Sequence, residues 1–359
     1  MKKLYLLGFL FISSFLHAQP FGNEWINYEQ RYYKFSIAED GVYRITFNDL
    51  ANAGIPISGI TPDNIQLFAA NEEVPIYIEG GEDGFFNSTD YIEFIGRKND
   101  GSLETSLYDT PDDQPNPYYS LFNDSLNYFL TWNATGNNLR FQENDLSDLD
   151  SYTPREFLWK RLRQVYSNGY YQGQLDAIGI SVPFYTKGEG WMSPRFGIPQ
   201  GSSSITTAFN TAGVYQESNA PPAEVSSVSA GVSNAESGSG NNHFLQIRYG
   251  TENTLAVNFQ FQGYEVNRFS FEIPNAALSD ESTTIRHEVS NSLGVASDYQ
   301  ALASVELTFP HVPDLSGANS FEFLYRLNTA QSKTRFDLLN VSGTSPRLYT
   351  NGSDAQRAE

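Results

Sequence analysis

The sequence predicts an all-β protein, and three observations support that fold class. Its 22 Tyr and 26 Phe residues suit twisted antiparallel sheets, and its 28 Gly residues suit the turns that join strands. Apolar and polar side chains alternate with a period of two along most of the chain. No strong helical stretch separates the later strands, which favours a sandwich over a parallel α/β sheet. We therefore expect two β-rich domains with minor short helices, the second domain being a jelly-roll-like β-sandwich.

The first residues predict a secretory signal peptide over residues 1–18. Lys2 and Lys3 form a positive start, residues 4–16 are largely apolar, and Ala18 is the small residue at the expected cleavage site. This apolar run is too short for a stable membrane span, although a membrane-anchored N-terminus is the alternative. No later stretch has the length of a transmembrane helix. We expect an exported protein without a transmembrane segment, either secreted or held at the outer-membrane-associated cell surface.

The charge and the cysteine count narrow the possible partners. The formal net charge is −20, and cleavage would remove two lysines and leave 20 basic residues against 42 acidic ones. Such a charge repels nucleic acid and anionic lipid, so neither is an expected partner. The chain has no cysteine, so its stability must come from its cores and not from disulfides.

Changes in composition predict where the domains begin and end. After the signal peptide we expect, in order, an N-terminal β domain at 24–141, an acidic linker at 142–154, a β-sandwich at 155–345 and the start of a further segment at 346–359. Within the sandwich, residues 216–242 are rich in Ser, Ala, Gly and Asn. This stretch predicts a long, partly disordered loop.

Two hairpins are predicted from turn residues. Residues 33–37 and 43–47 alternate and flank Asp40-Gly41, a strong signal for a β-hairpin. Near the other end, residues 346–350 resemble a strand that enters a turn at Asn351-Gly352. Few residues follow, and none is a large apolar one, so we expect the returning strand to be missing. The alternative is an ordinary frayed C-terminus.

Other local patterns predict one helix, one ambiguous region and five strands. A short helix is expected over residues 49–53, with Asn48 as its N-cap and Gly54 ending it. Residues 152–171 fit either a helix face or strands, and their Tyr-rich end favours strands. The alternation in the second domain predicts strands at 255–261, 269–273, 285–289, 305–309 and 321–327.

The search for catalytic chemistry predicts no catalytic, cofactor-binding or metal-binding residue, and no cofactor. Without cysteine there is no thiolate nucleophile or thiolate metal site. His243, His287 and His311 are isolated in the sequence, and His287 is interpreted as a packed or cross-strand histidine. A hydrolytic carboxylate pair such as Glu93 with Glu306 can be imagined, but sequence spacing cannot supply its geometry.

Three further sequence patterns bear on possible binding sites. Residues 109–113 carry three aspartates, yet they lack the Gly and the distal Glu of an EF-hand loop, which favours a solvated acidic turn. Residues 237–240, Ser-Gly-Ser-Gly, are interpreted as flexible loop. Large aromatic residues could form a sugar-binding platform if three rings were coplanar on one open face, and the candidates are Trp132, Trp159, Trp191, Tyr170 and Tyr171.

Several segments together resemble a known family. They are Tyr32 to Thr46, then Asp49-Leu50 with Ala53 to Ile55, Ile65 to Phe68, Asp90 to Gly96, Asn127 to Thr131, and Ala303 to Pro310. Their order and spacing resemble the region before the peptidase domain in the PorU-like family. These are type IX secretion system sortases (C-terminal signal peptidases) of the gingipain-type cysteine peptidases. The resemblance spans most of residues 24–345 in patches.

The resemblance implies a function that depends on surfaces. In the family, the nucleophilic Cys and its partner His lie in a later domain, so no catalytic residue can be carried over to this cysteine-free chain. It implies a prodomain-like β domain and a sandwich that support or gate a downstream peptidase domain. Type IX surface components and cargo C-terminal domains would be further partners. The alternative is a stand-alone exported carbohydrate-binding or adhesin module, and a hydrolase using carboxylates alone is a third possibility.

Overall fold

The computed structural model describes residues 22–143, 148–174, 183–199, 202–238, 240–326, 333–350 and 355–358. The predicted signal peptide lies outside them. The first strands are β1 Tyr33–Ile37, β2 Gly41–Thr46, β3 Ile65–Ala69, β4 Glu72–Glu73, β5 Tyr77–Glu79, β6 Tyr91–Gly96, β7 Leu126–Trp132 and β8 Gln142–Glu143. The next are β9 Leu158–Val165, β10 Gly169–Gln172, β11 Glu189–Met192, β12 Phe196–Ile198, β13 Ser204–Asn210, β14 Ala223–Gly231 and β15 His243–Tyr249. The last are β16 Thr254–Phe261, β17 Val266–Ile273, β18 Ser282–Val289, β19 Asp298–His311, β20 Leu348–Tyr349 and β21 Gln356–Ala358.

Helical structure is minor, so the prediction of an all-β fold with short helices is confirmed. Among the described residues there is one α-helix, α1 Phe47–Asn52. Short 3₁₀ turns occur at Pro62–Asn64, Gly81–Asp83, Ser102–Leu107, Pro111–Asp113, Leu149–Ser151, Asn275–Ala277 and Asn291–Leu293. None of the helices in the described part of the chain is long and apolar enough to cross a membrane.

The chain forms two compact units whose limits differ from the predicted domains. The first contains Met1–Phe35, Tyr43–Phe94 and Asn127–Leu139, and the second contains Ser36–Val42, Ile95–Leu126 and Arg140–Glu359. Residues 95–126 therefore belong to the second unit, although composition placed them with the first.

The first unit is built on two small sheets with strand orders β1-β7-β3-β4 and β2-β6-β5. Aromatic rings fill its centre, because Tyr128 packs 5.7 Å from Phe35 and 5.6 Å from Phe94, measured between ring centroids. The hairpin predicted at Asp40-Gly41 is wrong, since β1 and β2 lie in different sheets. A two-residue hairpin turn of the expected type needs positive φ at Gly41, which Gly41 does not have. The Asp40 carboxylate instead accepts a 2.8 Å hydrogen bond from the Lys98 backbone.

The predicted short helix is confirmed, but its N-cap is not the residue expected. Thr46, and not Asn48, caps α1: its Oγ1 accepts from the Asp49 backbone N–H at 3.1 Å. The Asp49 carboxylate accepts from the Thr46 backbone N–H at 2.9 Å, which completes a capping box. Gly54 follows the helix with φ +74°, the left-handed conformation that the sequence predicted.

The second unit contains the predicted jelly-roll sandwich. Eight strands, β12 to β19, form two sheets of order β12-β19-β14-β17 and β13-β18-β15-β16. Each strand lies in the opposite sheet from the one before it, except that β16 pairs with β15, and this is the topology of a jelly roll. The two sheets enclose one core, to which Phe209, Leu245, Ile285, Leu307 and Phe309 contribute. Four of the five strands predicted by alternation are β16, β17, β18 and β19.

The prediction of a partly disordered loop at 216–242 is wrong over its middle. Ala223–Gly231 is β14, a nine-residue strand that pairs with β17 on one side and β19 on the other. Its Ser227 and Ser229 are buried, and so is Ala230. The composition looked loop-like because these side chains are small. Small side chains are what a central strand needs when both faces of its sheet are covered.

The outer face of that sheet is covered by the hairpin of β10 and β11. Tyr171 and Met192 of this hairpin pack on Ala230, Ala301 and Ala303. The ambiguous region before it is therefore strand, as its Tyr-rich end favoured: β9 pairs with β19, and β10 pairs with β11. Alanines on β14 and β19 let the hairpin approach the sheet closely.

Two expectations near the C-terminus are also corrected. β20 pairs antiparallel with β21, and β21 pairs in parallel with β8, so the returning strand is not missing. The turn residues Asn351 and Gly352 lie outside the described residues. The strand expected at 321–327 is wrong for its described part, where only a single bridge joins Leu324 to Trp159.

In the predicted linker, Gln142–Glu143 is a strand, and residues 144–147 lie outside the described residues.

Candidate functional site

The five aromatic candidates do not form a flat platform. Trp132, in the first unit, stacks on Tyr33. In the second unit Trp159 is buried beneath the Arg326 guanidinium, whose central carbon lies 4.0 Å from the ring centroid. Tyr171 packs on the alanine cluster. Tyr170 and Trp191 are neighbours with centroids 5.2 Å apart, but their rings are inclined by 71°.

Tyr170 and Trp191 border a segment that the sequence analysis assigned to the other domain. We call residues 99–125 the strap. Its backbone closes on itself at the base, where the Asn99 N–H donates to the Asp124 carbonyl at 3.0 Å. Between those ends it contains two 3₁₀ turns, Ser102–Leu107 and Pro111–Asp113, and no β-strand. Side-chain hydrogen bonds therefore add to the few backbone hydrogen bonds that maintain its shape.

Buried polar side chains anchor the strap to the sandwich. Asn116 is 3% exposed, and its amide donates to the Tyr166 and Trp191 carbonyls at 2.9 Å each. From the sandwich, the Arg268 guanidinium donates to the Asp112 carbonyl at 3.0 Å and to the Gln114 carbonyl at 2.8 Å. Bonds of this kind satisfy backbone carbonyls that no strand could satisfy, so the strap is held in one position.

A buried carboxylate stabilises the strap from inside. Glu104 is 6% exposed and accepts hydrogen bonds from the Ser120 hydroxyl and, at 2.6 Å, from the Leu121 backbone N–H. The Gln114 amide donates to the Gly101 carbonyl at 3.2 Å and accepts from the Thr105 hydroxyl at 2.7 Å. These contacts join the beginning of the strap to its end, which preorganises the side chains that it exposes.

Aromatic rings from the strap and the β10–β11 hairpin meet in two groups. In one, Tyr185 lies between Tyr108, at 5.6 Å, and Phe122, at 6.5 Å. In the other, Trp191 lies between Tyr170, at 5.2 Å, and Tyr119, at 6.3 Å. Phe122 is 63% exposed and Tyr170 is 41% exposed. Exposed rings held against a fixed frame are typical of binding surfaces.

Glu189 connects the two groups of rings. Its carboxylate accepts from the Tyr170 hydroxyl at 2.7 Å, and its backbone carbonyl accepts from the Tyr108 hydroxyl at 2.8 Å. Burial, followed by the hydrogen bond to Glu189, raises the pKa of Tyr170 above its usual value. Burial, followed by the proximity of Tyr170, raises the pKa of Tyr108. Both phenols therefore stay neutral and keep donating at physiological pH.

We use the name strap surface for these exposed and partly exposed rings and the exposed carboxylates beside them. The rings are Tyr119, Phe122, Tyr170, Tyr185 and Trp191, and the carboxylates are Asp109, Asp112 and Asp124. Sequence reasoning named only Tyr170 and Trp191. A usable signal was present: aromatic residues in an acidic segment with Pro111, Pro115 and Pro117 cannot be ordinary strand residues.

The three histidines of the described residues lie inside the sandwich or at its rim. His287 is fully buried, and its Nε2 is 2.7 Å from the Ser227 hydroxyl of the opposite sheet. Burial lowers the pKa of His287 to about 3, so the ring is neutral. This agrees with the interpretation of His287 as a packed histidine. His243 is paired with Asp298 in the core, and His311 lies next to Gly213.

The other sequence candidates are occupied by local partners. Glu93 accepts from Arg44 at 2.7 Å in the first unit, and Glu306 accepts from Arg163 at 2.7 Å in the second. Asp113 is buried, with the Lys187 ammonium 3.9 Å from its carboxylate. No group of three or more His, Asp or Glu side chains is arranged for a metal ion within the described ranges.

Comparisons with known proteins give structural likenesses only. No protein-family model and no curated protein matches the sequence. The chain is similar to the crystal structure of dimeric latent PorU from Porphyromonas gingivalis, with a TM-score of 0.49 and 12% identity, covering 80% of this chain and 25% of that one. It is also similar to carbohydrate-binding module CBM36 in complex with calcium and xylotriose, with a TM-score of 0.23 and 16% identity over 41% of this chain and 98% of that one.

A third likeness is to the ANXUR2 extracellular domain from Arabidopsis thaliana, with a TM-score of 0.25 and 9% identity. That match covers 78% of this chain and 83% of the other. The chain spans only about a quarter of the full length of the PorU chain that it matches.

Proposed function

We propose that this chain is an exported, β-rich supporting region of a type IX secretion sortase, and that it binds a cysteine peptidase domain through the strap surface. The observation that carries the proposal is the strap surface itself. Two of its rings, Phe122 and Tyr170, are exposed and the others are partly exposed, while Asn116 and Glu104 beneath them are buried and hydrogen-bonded. Such a construction suits recognition by contact.

The chemistry of the other candidates agrees with a role in binding. Glu93 and Glu306 each have an arginine partner within 2.7 Å, and His287 is neutral and enclosed by the core. A general acid or base must reach a substrate proton within hydrogen-bond distance. Nothing that we describe at these three residues offers that access.

The sequence resemblance supports the choice of partner. The segments resembling the sortase family occupy neighbouring strands of the first unit, β1, β2, β3, β6 and β7, and the central strand β19 of the sandwich. In that family a gingipain-type peptidase domain follows such a region. Type IX surface components and cargo C-terminal domains are further proposed partners, and the outer-membrane-associated cell surface is the proposed location.

The experiment is a binding measurement with the two parts supplied separately. The chain without residues 1–18 is purified and titrated with the gingipain-type peptidase domain of a type IX sortase from the same genome. We expect saturable binding by biolayer interferometry and a change in the hydrolysis of a fluorogenic peptide. Absence of both effects at the highest soluble concentrations of the peptidase domain would contradict the proposal. A bovine serum albumin titration controls for non-specific adhesion.

A second candidate function is carbohydrate binding, and one observation favours it. Tyr170 and Trp191 are adjacent, partly exposed rings with a carboxylate, Glu189, hydrogen-bonded to one of them. Sugars stack on such rings and bond to such carboxylates. Trp191 fluorescence titrations with soluble cell-surface polysaccharides test this function. A saturable change that disappears in Tyr170→Ser would support it, and unchanged fluorescence would exclude it for those glycans.

A further inference from the structure

We infer that the strap surface binds an apolar segment of its partner that carries lysine or arginine side chains. The inference rests on the proposed function in taking the peptidase domain as the partner. It goes further by naming the chemistry that the partner must present. Ring geometry, local charge and the position of nearby cations carry the argument.

The rings can accept both apolar groups and cations. Phe122 and Tyr170 are exposed, and the Trp191 ring is half-buried between Tyr170 and Tyr119. Indole and phenol faces attract ammonium and guanidinium groups within about 6 Å of the ring centre. The second unit already uses this contact internally, with the Arg163 guanidinium 3.7 Å from the Tyr118 centroid.

The charge of the strap is of one sign. Residues 99–125 contain six carboxylates and no lysine or arginine. One of them, Glu104, is buried and satisfied within the strap, while Asp109, Asp112 and Asp124 are exposed. Apolar rings bordered by exposed carboxylates repel an acidic partner and attract a basic one.

Two cations from the sandwich lie close to the strap, but neither forms an ion pair with Asp109 or Asp124 among the described residues. Arg268 donates to the Asp112 and Gln114 carbonyls, at 3.0 and 2.8 Å, and it lies 3.9 Å from the Asp112 carboxylate, so it offsets that charge in part. Lys187 lies 3.9 Å from the carboxylate of Asp113, which is mostly buried. Asp109, which follows Tyr108 in the sequence, is exposed. A partner cation is therefore complementary to the site as it stands.

The test uses three synthetic peptides of equal length that share one leucine and tryptophan pattern and differ in carrying Lys, Ser or Glu between those residues. Binding to the whole chain is measured by fluorescence anisotropy at low and high salt. We expect the Lys peptide to bind about tenfold or more tightly than the Glu peptide, with the difference shrinking at high salt. Equal affinities for the Lys and Glu peptides would overturn the inference.

Matched variants locate the binding. Asp109→Asn removes a charge, and Phe122→Ser and Tyr170→Ser each remove an exposed ring; we expect each to weaken the Lys peptide by about threefold to fivefold. Glu252→Gln and Phe259→Ser, which alter an exposed acid and an exposed ring elsewhere on the sandwich, should leave the affinity unchanged. Equal losses of Lys-peptide affinity in the control and strap variants would overturn the assignment of the binding site to the strap surface. Binding of a soluble glycan without binding of any peptide would also overturn it.

The outcomes separate this inference from the proposed function. Retained Lys-peptide binding without any binding of the peptidase domain would defeat only the proposed function. Peptidase-domain binding that survives Asp109→Asn, Phe122→Ser and Tyr170→Ser would defeat only the strap surface as the site. Circular dichroism of each variant confirms that the sandwich remains folded.

Discussion

Nδ1 of His243 lies 2.7 Å from a carboxylate oxygen of Asp298, and both side chains are fully buried in the sandwich. The Asp298 carboxylate also accepts from the Phe244 backbone at 2.8 Å and from the Gln300 amide at 3.0 Å. The Nε2 of His243 is 2.9 Å from the Ser233 carbonyl. Both ring nitrogens thus lie within hydrogen-bond distance of an oxygen atom. The pair joins β15 to β19 across the two sheets.

Loss of Asp298 should be strongly destabilising. Asp298→Ala leaves three buried donors without an acceptor, and breaking a buried pair costs about 3–5 kcal/mol of unfolding free energy. Urea unfolding followed by circular dichroism measures the change. The control is Glu224→Ala, which removes the partner of Arg326 in an exposed pair with 2.7 Å separation. That change should cost less than about 1 kcal/mol. Equal costs would show that the buried pair has no special role.

Protonation of His287 should weaken the fold as the pH falls. Burial lowers the pKa of His287 from 6.5 in the unfolded chain to about 3 in the folded one. The stabilisation is complete above pH 6.5 and is lost progressively as the pH falls toward 3, because the unfolded chain binds the proton first. By pH 4 the loss is on the order of 3 kcal/mol.

Comparison with a variant isolates this contribution from the titration of carboxylates. His287→Gln keeps a polar group near Ser227, which lies 2.7 Å from the histidine ring, but it does not titrate. The difference in unfolding free energy between wild type and His287→Gln should therefore narrow between pH 6.5 and 4. A pH-independent difference would contradict the assignment of a neutral, buried His287.

The helix cap of the first unit can be tested against the one that the sequence predicted. Thr46→Ala removes the hydroxyl that accepts from the Asp49 backbone, and we expect a loss of about 1 kcal/mol in unfolding free energy. Asn48→Ala, at the cap position expected from sequence, should change it by less than about 0.5 kcal/mol. Thermal unfolding of both variants measures the effects. A larger loss of unfolding free energy in Asn48→Ala than in Thr46→Ala would identify Asn48 as the N-cap.

The edge strand β16 should favour association at high concentration. Its residues carry no charge and no proline, and Leu255 and Phe259 remain 44% and 39% exposed on the face expected to be buried. Uncharged, exposed edge strands are templates for pairing with other chains. Phe259→Lys should reduce light scattering on concentration, whereas Ser270→Lys on the neighbouring edge strand β17, which already carries Arg268 and Glu272, should have little effect. Unchanged scattering in Phe259→Lys would exclude β16 as the associating edge.

The alternation of side chains was enough to predict half of the eight strands of the sandwich, β16 to β19. Val266–Ile273 and Ser282–Val289 follow the pattern because each strand has one face on the core. Pairing was not predictable in the same way. β1 and β2 have the residues of a hairpin, yet each bonds to a strand distant in sequence, because a partner is chosen by the whole sheet and not by the turn.

By itself the sequence determined the all-β class, the jelly-roll sandwich and the packed character of His287, since these depend on local alternation and burial. Only the tertiary structure decided that Ala223–Gly231 is a central strand, because small side chains look loop-like until both neighbouring layers are known. It also decided that residues 95–126 belong to the sandwich unit. Their hydrogen-bonding partners, such as the Tyr166 and Trp191 carbonyls bound by Asn116, are 50 and 75 residues away. Contacts of that range leave no periodic trace in a sequence.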